Sequence, residues 1–488
     1  MWTDDRRFRT RSTAHSKEIR RKSWQSLSVG FWATACVLVL SIILGGGTRQ
    51  GFSGDYILQL VSLPLLLASI IQLWSIRSSA DIKTALLVVT AIAAVPLIQL
   101  IPLPPFVWTA LPGREAFSRT FEIAGIPTPW HPISLGPSTT LQSALSLIPP
   151  LALFLGTLLL GMAERRVLSL VLLGLGVAGV VLGLLQVAFG STTPLRFFAF
   201  TNKEVAVAFF ANANHAAIFM ASLIPVTGAW VVAKLARWRQ DGAGVTAIPS
   251  LIGFIAIAIL LFLAQGLMQS RAAIVLATFA ALACSAMLFP HFRSSLARHG
   301  YIFAIVALVA SAGFLIYRIL PSIEPEEIDA TRYEVAKQTL DIAWKFAPFG
   351  AGTGTFVPIY QMYESTQLNS LGPEYINRAH NDLAELLLES GAFGLVVLIG
   401  LVFWWVRKGI QAWSRKLRER EEIDYLLPRA ASIMIAVPLM HSLVDYPLRT
   451  GGMAAVLAVA LGLLITQPSL SSRANRKEAG RAETRLDR

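Results

Sequence analysis

Charged residues make up only 15% of the 488-residue chain, against 54% hydrophobic ones. A water-exposed surface needs more charge than that. The expected solvent is therefore the bilayer, and the expected architecture one helical bundle rather than several soluble domains. Cysteine is almost absent. Cys36 and Cys284 both fall inside apolar runs, which argues against a disulfide framework and a thiolate metal site. The chain also lacks His-Glu-x-x-His, Asp-x-Asp, a Walker lysine and Gly-x-Ser-x-Gly. Those absences argue against a zinc hydrolase, a metal-dependent nucleotide-sugar transferase, an ATPase and a serine hydrolase. Gly350, Gly352 and Gly354 imitate a phosphate loop, but no strand precedes them and no Lys-Ser/Thr follows, so a turn is expected there. No repeat of fixed period and no low-complexity domain is visible.

Apolar sequence is what the chain has in abundance. A spanning helix needs ~20 apolar residues. Twelve are expected, near 27–45, 56–76, 84–102, 141–161, 166–189, 207–235, 248–269, 272–290, 301–320, 383–406, 425–447 and 452–467. The formal net charge of +13 sits mostly in the tails and in alternate short loops. With twelve spans, the basic segments 1–26, 77–83, 164–166, 234–239, 293–298, 407–420 and 468–488 all fall on one side. That is a positive-inside pattern rather than a nucleic-acid face, and it places both termini in the cytoplasm. The first apolar run is long enough to span and no small-x-small cleavage site follows it, so it is expected to stay as a helix.

The expected organisation begins with a basic cytoplasmic tail, 1–26, and helices one to five over 27–189 with an extracytoplasmic loop at 103–140. A core at 190–410 follows, containing a second extracytoplasmic loop at 321–382. C-terminal helices occupy 411–467, and a basic cytoplasmic tail, expected to be disordered, occupies 468–488. The loop at 321–382 carries nine acids against four bases. Within it, 332–346 has the pattern of an amphipathic helix, with Val335, Leu340, Ile342, Ala343 and Trp344 as its apolar positions. A structured loop of that length on a membrane protein points to function.

His380 is the sharpest single signal. It lies in Arg378-Ala-His-Asn-Asp-Leu-Ala-Glu385, where Asp382 with Glu385 resembles a capping box, so the histidine just precedes a helix N-terminus. A neutral imidazole there can take a proton from a hydroxyl nucleophile. The plainer alternative is a loop histidine in an elaborate cap. Arg271, in the tight hairpin Gln269-Ser270-Arg271 on the same face, carries a fork suited to phosphate oxygens, or else serves as an interfacial anchor. Asn214 and His215 lie two turns into the sixth span, where they either line a cavity or hydrogen-bond between helices. His441, Asp445 and Arg449 are spaced by four and are expected to stripe one face of the eleventh helix. Such a stripe orients an imidazole, binds a phosphate, or forms an internal salt-bridge ladder in which Asp445 is structural. Arg332 and Lys203 are further cations on the same side, each on its own read as surface charge rather than ligand.

A site outside the cytoplasm has no nucleotide sugar or ATP to use, so an activated donor has to arrive on a lipid. A polyprenyl diphosphate meets that requirement, with arginines to stabilise the leaving diphosphate and a histidine to deprotonate the acceptor hydroxyl. At these residues the chain resembles the bacterial O-antigen ligase / O-antigen polymerase family of membrane glycosyltransferases. The resemblance rests on Asn214-His215-x-Ala217, Ser270-Arg271, the loop from Arg332, Pro348-Phe-Gly-x-Gly-x-Gly-x-Phe356, Ala379-His380-Asn381-Asp382 and Glu389-x-Gly391. It covers roughly 190–410, and the run from His441 to Arg449 looks like a C-terminal feature of some members.

The resemblance implies an all-α, GT-C-like integral membrane fold in the bacterial inner membrane. It implies transfer of a glycan from undecaprenyl diphosphate to a hydroxyl acceptor on the periplasmic face, with no cofactor and no metal. Arg271 and Arg332 would contact the diphosphate and His380 would be the acceptor base. Arg449 is a further diphosphate candidate, and Asn214, His215 and His441 are cavity-lining candidates. In a ligase the acceptor is lipid A-core; in a polymerase it is another repeat unit on its carrier; protein O-glycosylating enzymes are related. The sequence does not separate these. The competing classes are a polytopic transporter or flippase and a non-catalytic assembly scaffold. A transporter's usual marks, matching broken helices in inverted repeats and a midplane acidic pair, are not seen.

Overall fold

Ser28 caps the first helix, α1 (Val29–Leu44), by accepting from the Phe31 amide at 3.1 Å. The chain folds back through α2 (Ser53–Ser75) and α3 (Ala80–Gln99). Two short antiparallel strands follow, β1 (Pro102–Leu103) and β2 (His131–Pro132), with Pro102 opposite Pro132. Between them lie α4 (Pro105–Trp108) and α5 (Glu115–Ile123). Next come α6 (Pro137–Ser146), α7 (Ile148–Leu159) and α8 (Met162–Ala188). They lead to α9 (Ala213–Asp241), α10 (Ala247–Met268) and α11 (Arg271–Leu288). The remainder comprises α12 (Pro325–Phe346), α13 (Phe356–Tyr363), α14 (Asp382–Ser414), α15 (Ile423–His441), a 3-10 turn at Pro447–Arg449 and α16 (Gly451–Leu464).

The computed structural model describes residues 27–48, 51–75, 80–198, 202–241, 247–288, 325–364, 376–414 and 423–465, with isolated positions between 306 and 317. Both tails and most of the expected ninth span lie outside the described residues. Among the described residues, eight helices have the length and composition to cross a membrane, and α1, α11 and α16 are shorter apolar helices. The protein is a multi-pass, helical membrane protein. The expected span at 141–161 is realised as α6 running into α7, which together count as one of the eight.

Protein contacts sort these helices into inner and outer ones. Of the most apolar stretch of α9, 83% is buried, and 78% for α15, against 17% for α3. The first two therefore form the centre and α3 faces outward. Alanines 216, 217 and 221 of α9 and 430 and 431 of α15 are fully buried. Small residues suit such positions, because lipid is as apolar as the helices and close packing has to supply the attraction.

Arg165 shows how helix ends are satisfied inside the bundle. Fully buried, it donates to the carbonyls of Leu158 (2.9 Å), Leu160 (3.0 Å) and Ile465 (2.5 Å), tying the end of α7 and the start of α8 to the chain just after α16. These are helix-terminal acceptors that lipid cannot satisfy. Arg165→Ala is expected to lower stability by roughly 2–3 kcal/mol, because buried carbonyls then lose their donor. The check is a lowered Tm of purified protein in detergent; an unchanged Tm would show that the carbonyls find other partners.

A second apolar cluster lies outside the bundle. Val335, Ile342, Phe346, Phe356, Tyr360 and Leu388 form it, with Phe117 and Leu135 packed against them. The helix expected at 332–346 is the latter part of the longer α12. Its buried positions Val335, Thr339, Ile342, Ala343 and Phe346 follow the helical period. Leu340 and Trp344 sit off that stripe and are exposed, contrary to expectation; Trp344 is 78% exposed. Arg114 joins the two long loops. It is buried, donates to the carbonyls of Ile133 (2.5 Å) and Gly350 (3.0 Å), and lies over the Phe346 ring.

Candidate active site

The ends of α9, α11, α14 and α15 supply the site, and each is fixed locally. Asn212 Oδ1 accepts from the Asn214 amide at 2.8 Å just ahead of α9. That helix starts later than hydropathy predicts, so Asn214 and His215 occupy its first turn rather than a position two turns in. Gln269 adopts a left-handed φ of 53°, and Ser270 Oγ then accepts from the Ala273 amide at 3.4 Å, which leaves Arg271 as the first residue of α11.

His380 also has a left-handed φ, 50°. Histidine tolerates that region better than most residues, but a persistent outlier needs a surrounding structure to hold it. Here the Ala379 amide donates to Glu385 Oε2 (3.1 Å), Asn381 Nδ2 to the Leu443 carbonyl (2.9 Å), and the Asp382 amide to the Ser442 carbonyl (2.8 Å). The cap of α14 is Asn381, whose Oδ1 accepts from the Leu383 and Ala384 amides at 3.0 Å. Asp382 and Glu385 do not form the expected capping box. Glu385 reaches back past the cap to Ala379 instead.

The expected stripe of His441, Asp445 and Arg449 does not form either, because α15 stops at His441. Asp445 turns inward after the helix, and Arg449 falls in the 3-10 turn. This termination decides which groups meet.

One cavity of about 790 Å³ collects most of the candidates. Arg271, Arg332, Lys203, His380, Asn214, His441 and Asp445 all line it. Arg271 and His380 therefore share a site. His215 is fully buried and is not among the lining residues. Arg449 lies elsewhere, paired with Glu389 (2.6 Å), Asp382 (3.3 Å) and Glu385 (3.4 Å). Arg378 pairs with Glu385 at 2.8 Å in the same cluster. The structure thus gives Arg449 three carboxylate partners and brings it to no shared cavity with Arg271.

The centre of the site is Asp445, which the sequence pattern presented as structural. Its Oδ1 lies 3.4 Å from His380 Nδ1 and 4.0 Å from His215 Nε2, and accepts from the Tyr446 amide at 3.0 Å. Its Oδ2 accepts from Asn214 Nδ2 at 2.8 Å. Burial alone would raise this carboxyl, but His380, 3.4 Å away, and the flanking histidines hold it well below the usual carboxylate range. It is an anion at neutral pH. An ionised carboxylate only accepts, so the proton on His380 belongs on Nδ1 and leaves Nε2 as the basic nitrogen. Tyr446 stands edge-on to both imidazoles, with ring centroids 4.9 Å from His215 and 5.0 Å from His380. Burial and the adjacent Asp445 push its phenol up to about 12.

The arrangement can do two things at once. Three cations face an open volume where an anion can sit, and a carboxylate-oriented imidazole faces the same volume where a hydroxyl can lose its proton.

Residues 252–399 match a family model described as O-antigen ligase, so over this segment the chain is similar to that family. No curated protein matches the chain. The matched segment contains Arg271, Arg332 and His380, while Asn214, His441 and Asp445 reach the cavity from outside it.

Proposed function

We propose, from the similarity of residues 252–399 to the O-antigen ligase family model and from the site's geometry, that the protein is a membrane glycosyltransferase that moves a glycan from a lipid diphosphate carrier to a hydroxyl acceptor. The carrier is undecaprenyl diphosphate, and the acceptor is lipid A-core or another glycan. The protein lies in the bacterial inner membrane as a GT-C-like bundle of twelve spans with both termini cytoplasmic, and the cavity faces the periplasm. The carrying observation is that Arg271 and Arg332 line the same cavity as the His380–Asp445 pair.

In this mechanism the donor diphosphate sits against Arg271 and Arg332, with Lys203 as a third cation. His380 Nε2 takes the acceptor hydroxyl proton as its oxygen bonds to the anomeric carbon. The bond from that carbon to the diphosphate breaks, and its electron pair leaves with the diphosphate. The cations stabilise that charge where it develops. Asp445 keeps the imidazole in the productive tautomer and balances the imidazolium that forms.

Transfer from a purified lipid-linked glycan to a glycolipid acceptor, followed by gel mobility, tests the assignment. Arg271→Ala is expected to lower the rate roughly 10²–10³-fold, the usual cost of losing one preorganised charge-stabilising donor. Chelation by EDTA is expected to leave transfer unchanged. Transfer that EDTA abolishes and a divalent cation restores would overturn the assignment of the leaving-group role to the arginines. In cells lacking the protein, polymer accumulating on its lipid carrier identifies a ligase, and accumulation of single repeat units identifies a polymerase.

A further inference from the structure

The apolar residues of α12 fall on two faces, and only one of these enters the second apolar cluster. Val335, Thr339, Ile342 and Phe346 form the buried stripe. Tyr333, Lys337, Leu340 and Trp344 follow one another at intervals of four, three and four residues, which puts them together on the opposite face. All four are exposed, Tyr333 at 67% and Trp344 at 78%. Two aromatic rings and a leucine aligned on a water-facing helix surface contribute nothing to folding. Such a stripe marks a surface that binds something.

The stripe begins in the cavity that holds His380. Arg332, Tyr333 and Ala336 line that cavity, whereas Leu340 and Trp344 lie beyond its lining. From Tyr333 to Trp344 the helix rises about 16 Å. The stripe therefore leads out of the cavity over a length of several sugar rings. Its surroundings are charged: Glu334, Asp341 and Lys345 follow one edge, and Lys337 lies within it. Charge at each turn suits neither hydrocarbon nor a dry protein interface. It suits a sugar chain. A pyranose has an apolar C–H face that packs on an aromatic ring, and its hydroxyls pair with charged groups beside that ring.

We propose that this face of α12 binds the glycan of the lipid-linked donor where it leaves the cavity. The donor role rests on the transferase function proposed above, in which Arg332 holds the diphosphate; glycan binding by this face does not. With the diphosphate at Arg332, the first sugars lie against Tyr333, the next residue of the helix. Later sugars pass Leu340 and reach Trp344. Successive turns of one helix then hold the two parts of one substrate.

The test uses full-length protein in nanodiscs and donor taken from cells that lack the protein. Its glycan, freed from the lipid diphosphate by mild acid, is titrated calorimetrically. Tyr333→Ala and Trp344→Ala are each expected to weaken binding about 3- to 10-fold, the usual worth of one aromatic contact. Tyr333→Phe keeps the ring and is expected to bind as the wild type does. Trp130→Ala removes an aromatic ring that is 64% exposed and outside α12, and is expected to change nothing. In transfer assays Trp344→Ala is expected to raise KM for the donor and not for the acceptor. No measurable binding by the wild type, wild-type affinity in both alanine variants, or equal weakening by Trp130→Ala overturns the site. Wild-type affinity in Trp344→Ala, with α12 labelled instead by a diazirine-bearing phosphatidylglycerol, identifies a membrane anchor and also overturns it. A raised KM for the acceptor alone overturns the donor role. His380→Ala is expected to abolish transfer and leave glycan affinity intact, so failure of the glycan face and failure of the transferase mechanism are read separately.

Discussion

Replacing His380 with alanine is expected to lower glycan transfer roughly 10²–10⁴-fold, the usual contribution of a positioned general base. The protein should still reach the membrane, because the backbone bonds of 379–382 run through Glu385, Leu443 and Ser442 rather than through the imidazole. Asp445→Asn is the sharper companion. An asparagine has one acceptor oxygen, whereas Asp445 serves Asn214, the Tyr446 amide and His380 with two. Its amide group therefore faces a donor, and the imidazole loses the partner that fixes its tautomer. If Asp445 acts only through His380, the double variant transfers no more slowly than His380→Ala alone. Additive losses would show that Asp445 has an independent role in the site. Cells in which both His380→Ala and a full deletion leave the glycan profile unchanged would favour the transporter class instead.

Much of this was legible in the chain, and the misses share a cause. Apolar runs located the helices, because ~20 consecutive apolar residues have few other uses. Arg271 and His380 stood out because charge and imidazole at helix ends are scarce in so apolar a sequence, whereas Arg332 was marked only by the family resemblance. What stayed hidden depends on where helices stop. The four-residue spacing of His441, Asp445 and Arg449 means a shared face only if the helix continues, and it ends at His441. That ending sends Asp445 to the imidazoles and Arg449 to the carboxylates. Likewise, Asp382 looked like the cap of α14 one residue after the true cap, Asn381. Partners such as Asn214 and Asp445, 231 residues apart, leave no local pattern at all.

The glycines at 350, 352 and 354 were legible as a turn but not as half of a joint. Each has a positive φ, between 78° and 118°, and the loop they form docks into a break in α14 at Gly391, where φ is 56° and ψ −148°. The break frees the carbonyls of Leu388 and Glu389, which accept from the Ala351 and Gly352 amides at 2.8 and 2.9 Å. In return the Ala392 amide donates to the Pro348 carbonyl at 2.8 Å. Gly391→Ala is expected to disrupt this joint with a loss of roughly 4 kcal/mol or more, well outside the ordinary range for one substitution. A Cβ there would fall on the Pro348 carbonyl oxygen and 2.8 Å from the Gly350 nitrogen, both backbone atoms that cannot rotate away. The backbone angles add strain of their own, since that region is essentially reserved for glycine. Gly400→Ala, in the same helix with nothing near its Cβ position, is the control and is expected to gain up to ~1 kcal/mol. Membrane yield and Tm in detergent separate the two. Because Glu389 holds Arg449 and Glu385 holds the backbone before His380, the damage at Gly391 should reach the site. A Gly391→Ala protein with wild-type Tm and transfer would show that the loop and the helix break are independent.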